Sequence, residues 1–95
     1  MRRPLSVFLA LLLLAGPAAA QALKDLPFDK QLTLAKVGDV DAQYTVGLAY
    51  ETGQGVAVDE AEAARWFRQA ALQGNVEAQY HLARLVSRGA KGLKQ

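Results

Sequence analysis

The sequence predicts an all-α fold, a short α-solenoid of antiparallel helix pairs, and three observations predict it. The chain repeats itself 36 residues on: Ala35-Lys-Val-Gly38-Asp39-Val40-Asp41-Ala42-Gln43-Tyr44 returns as Ala71-Leu-Gln-Gly74-Asn75-Val76-Glu77-Ala78-Gln79-Tyr80, with Ala, Gly, Val, Ala, Gln and Tyr identical. Self-similarity at a fixed period of this size marks stacked units. Between the glycines, apolar residues recur at the spacing of one helix face. Nowhere does the chain alternate with period two over a useful length, so no strand is expected.

The first twenty residues read as a secretory leader. Arg2 and Arg3 open it, Leu5 to Ala15 is an apolar run, and Gly16 and Pro17 break that run ahead of Ala18-Ala19-Ala20. The run is too short to span a bilayer, which takes roughly 20 apolar residues. Cleavage is expected after Ala20 or after Ala22, by the general secretion route, which places the product in the periplasm or outside the cell. The expected division is a leader over 1–20, a capping half-repeat over 21–38, a full unit over 39–74, and a partial unit with a tail over 75–95.

Each helix has its own start and stop. Pro27 suits a first turn and Asp29 can cap a helix over Asp29 to Val37, which Gly38 ends. Asp39 restarts the chain as a cap, with Asp41 in the first turn where the helix dipole favours negative charge. Ala42, Val46, Ala49, Tyr50 and Gly53 then follow one face. Small Ala42 and Gly47 invite a neighbouring helix to come close. The stretch Gly53-Gln-Gly55-Val-Ala-Val58 is a turn, Asp59 is the next cap, and Ala63, Trp66, Phe67, Ala70 and Ala71 form the next apolar face. Gly74 stops that helix, Asn75 caps the last one, and Ala78, Leu82, Leu85 and Val86 line it. The tail from Gly89 is expected to fray.

Without Arg2 and Arg3 the chain carries nine basic residues against nine acidic ones. No basic run points to nucleic acid or to an anionic membrane surface, and no membrane insertion is expected once the leader is removed. About 75 residues make one small core with a thin margin of stability, and the sequence has no cysteine to reinforce it. Packing, or a partner, has to supply what disulfides would have supplied.

The pattern Ala42-x-Tyr44-x-x-Gly47-x-x-Tyr50-x-x-Gly53-x-Gly55-Val56-x-x-Asp59, followed by Ala63-x-x-Trp66-Phe67-x-x-Ala70-Ala71-x-x-Gly74-Asn75-x-x-Ala78-Gln79-Tyr80-x-Leu82, resembles the Sel-one-like repeat, a relative of the tetratricopeptide repeat. It covers one unit from Asp39 to Gly74 and the first helix of a second. Val46, Phe67 and Glu62 depart mildly from the Leu, Tyr and Lys that are usual in the family. In the second unit Ala83 replaces the Gly and Val86 the Tyr. The segment before Asp39 aligns with the second helix of a unit, with Lys30 and Gln31 where Trp66 and Phe67 stand. The resemblance implies a scaffold for protein contacts with no catalytic set of its own. Its cysteine-rich relatives linked to β-lactam binding or hydrolysis are not matched by a chain without cysteine.

No catalytic, cofactor-binding or metal-binding residues are expected. Gly53 and Gly55 lack the strand and the Lys-Ser/Thr of a phosphate loop. His81, the single histidine, has no partner for a metal site or a triad and is read as a surface or rim residue. Trp66 and Phe67 are read as core. The carboxylates Asp39 and Asp41, and Glu60 and Glu62, lie at helix starts, two apart and on different faces. The candidate partner-binding surface is a stripe of Asp41, Tyr44, Leu48 and Glu51, with Glu77, Tyr80, Arg84 and Arg88 on the second copy. First helices of successive units line the concave side of a solenoid, so the two stripes are expected side by side. The expected partner is another protein, or a second copy joined through an open solenoid end, since about three units are normally needed for a stable stack. The rival readings are a cell-envelope hydrolase acting on β-lactams or peptidoglycan, for which Ser87 and His81 stand too far apart on one helix, and a repeat protein cut short within its second unit.

Overall fold

The computed structural model describes residues 17–89. Most of the expected leader, and the expected fraying tail from Ala90 onward, lie outside the described residues. Five helices follow one another: α1 Pro17–Lys24, α2 Phe28–Lys36, α3 Val40–Thr52, α4 Glu60–Leu72 and α5 Val76–Ser87. No described residue lies in a strand, and no described helix is long and apolar enough to cross a membrane.

Pro17 stands at the first position of α1, where its missing N–H would have had no partner in any case. The expected cleavage points after Ala20 and Ala22 fall inside this helix. Helix α2 begins and ends one residue earlier than expected, because Pro27 and not Asp29 occupies the cap position. The N–H groups of Lys30 and Gln31 both donate to the Pro27 carbonyl, and no side chain caps this helix. Asp29 sits instead in the first turn, where it can act only on the dipole.

The later helices start as the sequence indicates. The carboxylate of Asp39 accepts from the Ala42 N–H at 2.9 Å, that of Asp59 from the Glu62 N–H at 3.1 Å, and the amide oxygen of Asn75 from the Ala78 N–H at 2.7 Å. Each satisfies a donor that the helix geometry leaves without a partner. Gly53 closes α3 in the left-handed region at φ 80°, its N–H donating to the Ala49 carbonyl at 2.7 Å. A side chain there would be strained.

Helix α3 packs most extensively on α4, and the pairs α4–α5 and α2–α3 are close equivalents of each other. Phe67, Leu85 and Val46 are the largest fully buried side chains. One cluster joins Ala63, Ala64, Phe67 and Ala70 of α4 to Ala78 and Leu85 of α5. A second joins Leu23, Ala35, Ala42 and Val46 across α1, α2 and α3. The tightest approach is at Gly47, where a Cβ would lie 2.6 Å from two ring carbons of Phe67. Trp66, read as core, is only half-buried, as are Ala71, Leu82 and Val86, whereas Ala64 is fully buried. The apolar stripe on α4 is therefore rotated slightly toward Ala64 from the one the spacing indicates.

Candidate interaction surface

The first helices α3 and α5 lie side by side, and polar contacts hold them there. Glu51, near the end of α3, has a side chain only 10% exposed. One carboxylate oxygen accepts from Arg84 Nη2 at 2.6 Å, and the other lies 3.3 Å from His81 Nδ1. Arg84 Nη2 also lies 3.0 Å from His81 Nδ1. Nδ1 thus faces both a donor, the guanidinium, and an acceptor, the carboxylate. The other ring nitrogen, Nε2, is 3.3 Å from the Tyr44 hydroxyl oxygen.

His81 is not the surface or rim residue the sequence suggested. Its ring stacks on Phe67 at 5.1 Å and 28°, and Tyr44 and Tyr80 meet it edge-on at 5.6 and 5.5 Å. Position 45, its counterpart in the first unit, is a threonine whose hydroxyl donates to the Asp41 carbonyl. Repeat periodicity thus gave no signal for it. The available signal was the spacing of three between His81 and Arg84, which puts both on one side of α5.

Of the proposed contact residues, the structure brings Tyr44, Leu48, Glu51 and Arg84 together between α3, α4 and α5. Leu48 and Tyr44 pack against the Phe67 and Leu85 cluster. Asp41, Glu77 and Tyr80 are exposed, with the Arg84 guanidinium 6.0 Å from the Tyr80 ring centre. Arg88 is turned toward α4, where Nη2 donates to Glu60 at 2.7 Å. Beside Leu48 a cleft of about 230 Å³ runs along Thr45, Phe28, Pro27 and Lys24. The Ser87 hydroxyl donates to the Arg84 carbonyl. Among the described residues no three His, Cys, Asp or Glu side chains are placed to hold a metal ion.

The Sel1 repeat model matches residues 40–75 and 76–95. The chain belongs to the Sel1 repeat family. Each match begins at the residue after a capping side chain, Asp39 or Asn75. Comparison with curated proteins and with solved structures gives no match. Sel1 repeats are helical units that serve protein–protein contact, and the family is not a catalytic one. In this Sel1 repeat protein the polar hub fixes how the two first helices sit, and the residues around it remain open.

Burial pushes the Tyr44 hydroxyl above its ordinary value of 10.0, and the charges of Glu77 and then Glu51 add to the rise. A raised folded-state value means that the neutral phenol stabilises the fold. That contribution is whole below pH 10 and is lost as pH rises through the folded-state value. The melting temperature should therefore fall on titration above pH 10, and Tyr44→Phe should fall less over the same range. Equal losses in a side-by-side thermal melt would show that Tyr44 is not coupled to folding.

Proposed function

We propose that this Sel1 repeat protein is exported and binds another protein through the concave face made by α3 and α5. The observation that carries the reading is the state of that face. Its centre is held by Glu51, His81 and Arg84, while Asp41, Glu77 and Tyr80 stand exposed around it. A preorganised surface binds with less ordering cost than a mobile one. An exposed tyrosine beside two carboxylates suits a partner that offers an apolar side chain flanked by Lys or Arg. Export rests on the leader-like pattern of residues 1–20, and with it the expected location is the periplasm or the exterior.

Two measurements test the reading. The N-terminus of the chain recovered from the cell envelope should begin at Gln21 or Leu23 by mass spectrometry, and an intact Met1 would remove the case for export. A photo-crosslinking residue at position 41 or 77 should trap the same partner, and one at position 68 on the opposite side should trap nothing. Equal adducts from all three sites would reject the concave face as the contact surface.

A further inference from the structure

The leader pattern leaves two places to cut, and their products fit the fold differently. Ala18 and Ala20 precede one cut and Ala20 and Ala22 the other, so both offer a peptidase small residues at the same spacing. The products differ only by Gln21 and Ala22. Leu23, the next residue, belongs to the core: it is 9% exposed and packs with Ala35, Ala42 and Val46. Its carbonyl accepts from Gln31 Nε2 at 3.0 Å, and the same nitrogen reaches the Leu26 carbonyl at 3.1 Å. Gln31 is itself buried. These contacts tie the end of α1 to α2.

Gln21 and Ala22 hold Leu23 in helical geometry. The Asp25 N–H lies 3.2 Å from both of their carbonyl oxygens. A cut after Ala22 removes both acceptors. It also puts the new ammonium on Leu23 itself, beside an apolar cluster and at a terminus with nothing ahead of it to keep it ordered. A cut after Ala20 keeps the last turn of α1 whole and sets the ammonium two residues out, on Gln21, which is exposed. In a chain with one small core, the product that loses an anchor visits unfolded forms more often and is cleared by proteases sooner. The form that accumulates is then the one beginning at Gln21. As a first residue, Gln21 has an amine and a carboxamide placed to close a five-membered ring. Its side chain is exposed and forms no hydrogen bond among the described residues. Its carbonyl, the group that the fold uses, takes no part in ring closure.

We propose that Gln21 becomes the N-terminal residue and closes to pyroglutamate. The α-amine nitrogen attacks the side-chain Cδ, the new N–C bond forms, and the bond from Cδ to Nε2 breaks. Ammonia leaves with the proton that the amine gives up. The step is intramolecular, which is what brings an unactivated amide to react, and it consumes no oxidant, cofactor or second substrate. The consequence concerns Leu23. An aminopeptidase needs a free amine, and two cuts from Gln21 would bring it to the core; the lactam leaves it no amine. The seal stands where a chain without disulfides has a core residue three positions from its end. The inference rests on the export reading, since removal of the leader is what gives Gln21 a free amine.

The test is the intact mass and N-terminal fragment spectrum of the chain recovered from the envelope of cells expressing the whole coding sequence, taken at once and after prolonged warm incubation in phosphate buffer. The chain should start at Gln21 and be lighter than its open sequence by one ammonia, with the loss located in the first residue. Incubation should carry any open remainder to the closed form. Gln21→Glu has no side-chain ammonia to lose, so it should start at the same residue and keep the ammonia count of its open sequence. A start at Leu23, or a Gln21 amine that stays open through the incubation, overturns the proposal and leaves export standing. So does an equal loss of ammonia from Gln21→Glu, which would place the loss elsewhere in the chain. An intact Met1 overturns the export reading and the proposal with it.

Discussion

Phe67→Ala should leave the domain largely unfolded at room temperature. The ring is fully buried and is the point at which three helices meet. It lies against Gly47 and Tyr44 of α3 from one side and stacks on His81 of α5 from the other. Truncating a buried phenylalanine costs about 3–5 kcal/mol, through lost transfer free energy and the cavity left behind. A single core in a chain this short rarely supplies more than about 3–5 kcal/mol in total. The loss and the reserve are of one size. Urea titration followed by far-ultraviolet circular dichroism should show little cooperative transition left. A midpoint close to that of the unaltered chain would mean that the α3–α4–α5 contact does not hold the fold together.

Gly47→Ala is expected to cost about 1–3 kcal/mol, the range for one methyl forced into a filled core. The added Cβ would sit 2.6 Å from two ring carbons of Phe67, a distance real side chains do not tolerate. The ring cannot swing clear, because α5 covers its far side through His81. One helix therefore has to back away from the other. The diagnostic comparison is a double-mutant cycle with Phe67→Leu, which removes the ring carbons involved. If the clash is the cause, the second change should recover part of the stability lost in the first, and the two effects should fall short of their sum. Strict additivity would place the cost in the helix itself, although glycine to alanine is favourable there by propensity.

Much of this architecture is written in short-range signals. Asp39, Asp59 and Asn75 name three helix starts because a side-chain acceptor for a free N–H three residues on is a local requirement. Gly53 names a stop for an equally local reason, a backbone angle that other residues resist. Pro27 shows the limit. Either Pro27 or Asp29 satisfies local rules for starting α2, and the choice between them rests on how the chain leaves α1. The contact between the two stripes was also legible, because repeat geometry places successive first helices side by side. What filled the space between them was not. His81 owes its position to Phe67 on α4 and Glu51 on α3, residues 14 and 30 positions away in the chain. Trp66 was legible as apolar and helical, but its half-burial depends on the few degrees by which the α4 stripe is turned toward Ala64.

The capping side chains of α3, α4 and α5 have a further consequence, for inheritance. Each of these helices carries its own start within its own stretch of sequence, so a unit needs no instruction from its neighbours to begin. Copying or losing 36 codons in register returns the reading frame, the turn and the cap together. The similar stretches around Gly38 and Gly74 are where such an exchange could align. Array length can then change by whole units in one genetic event, while composition drifts residue by residue.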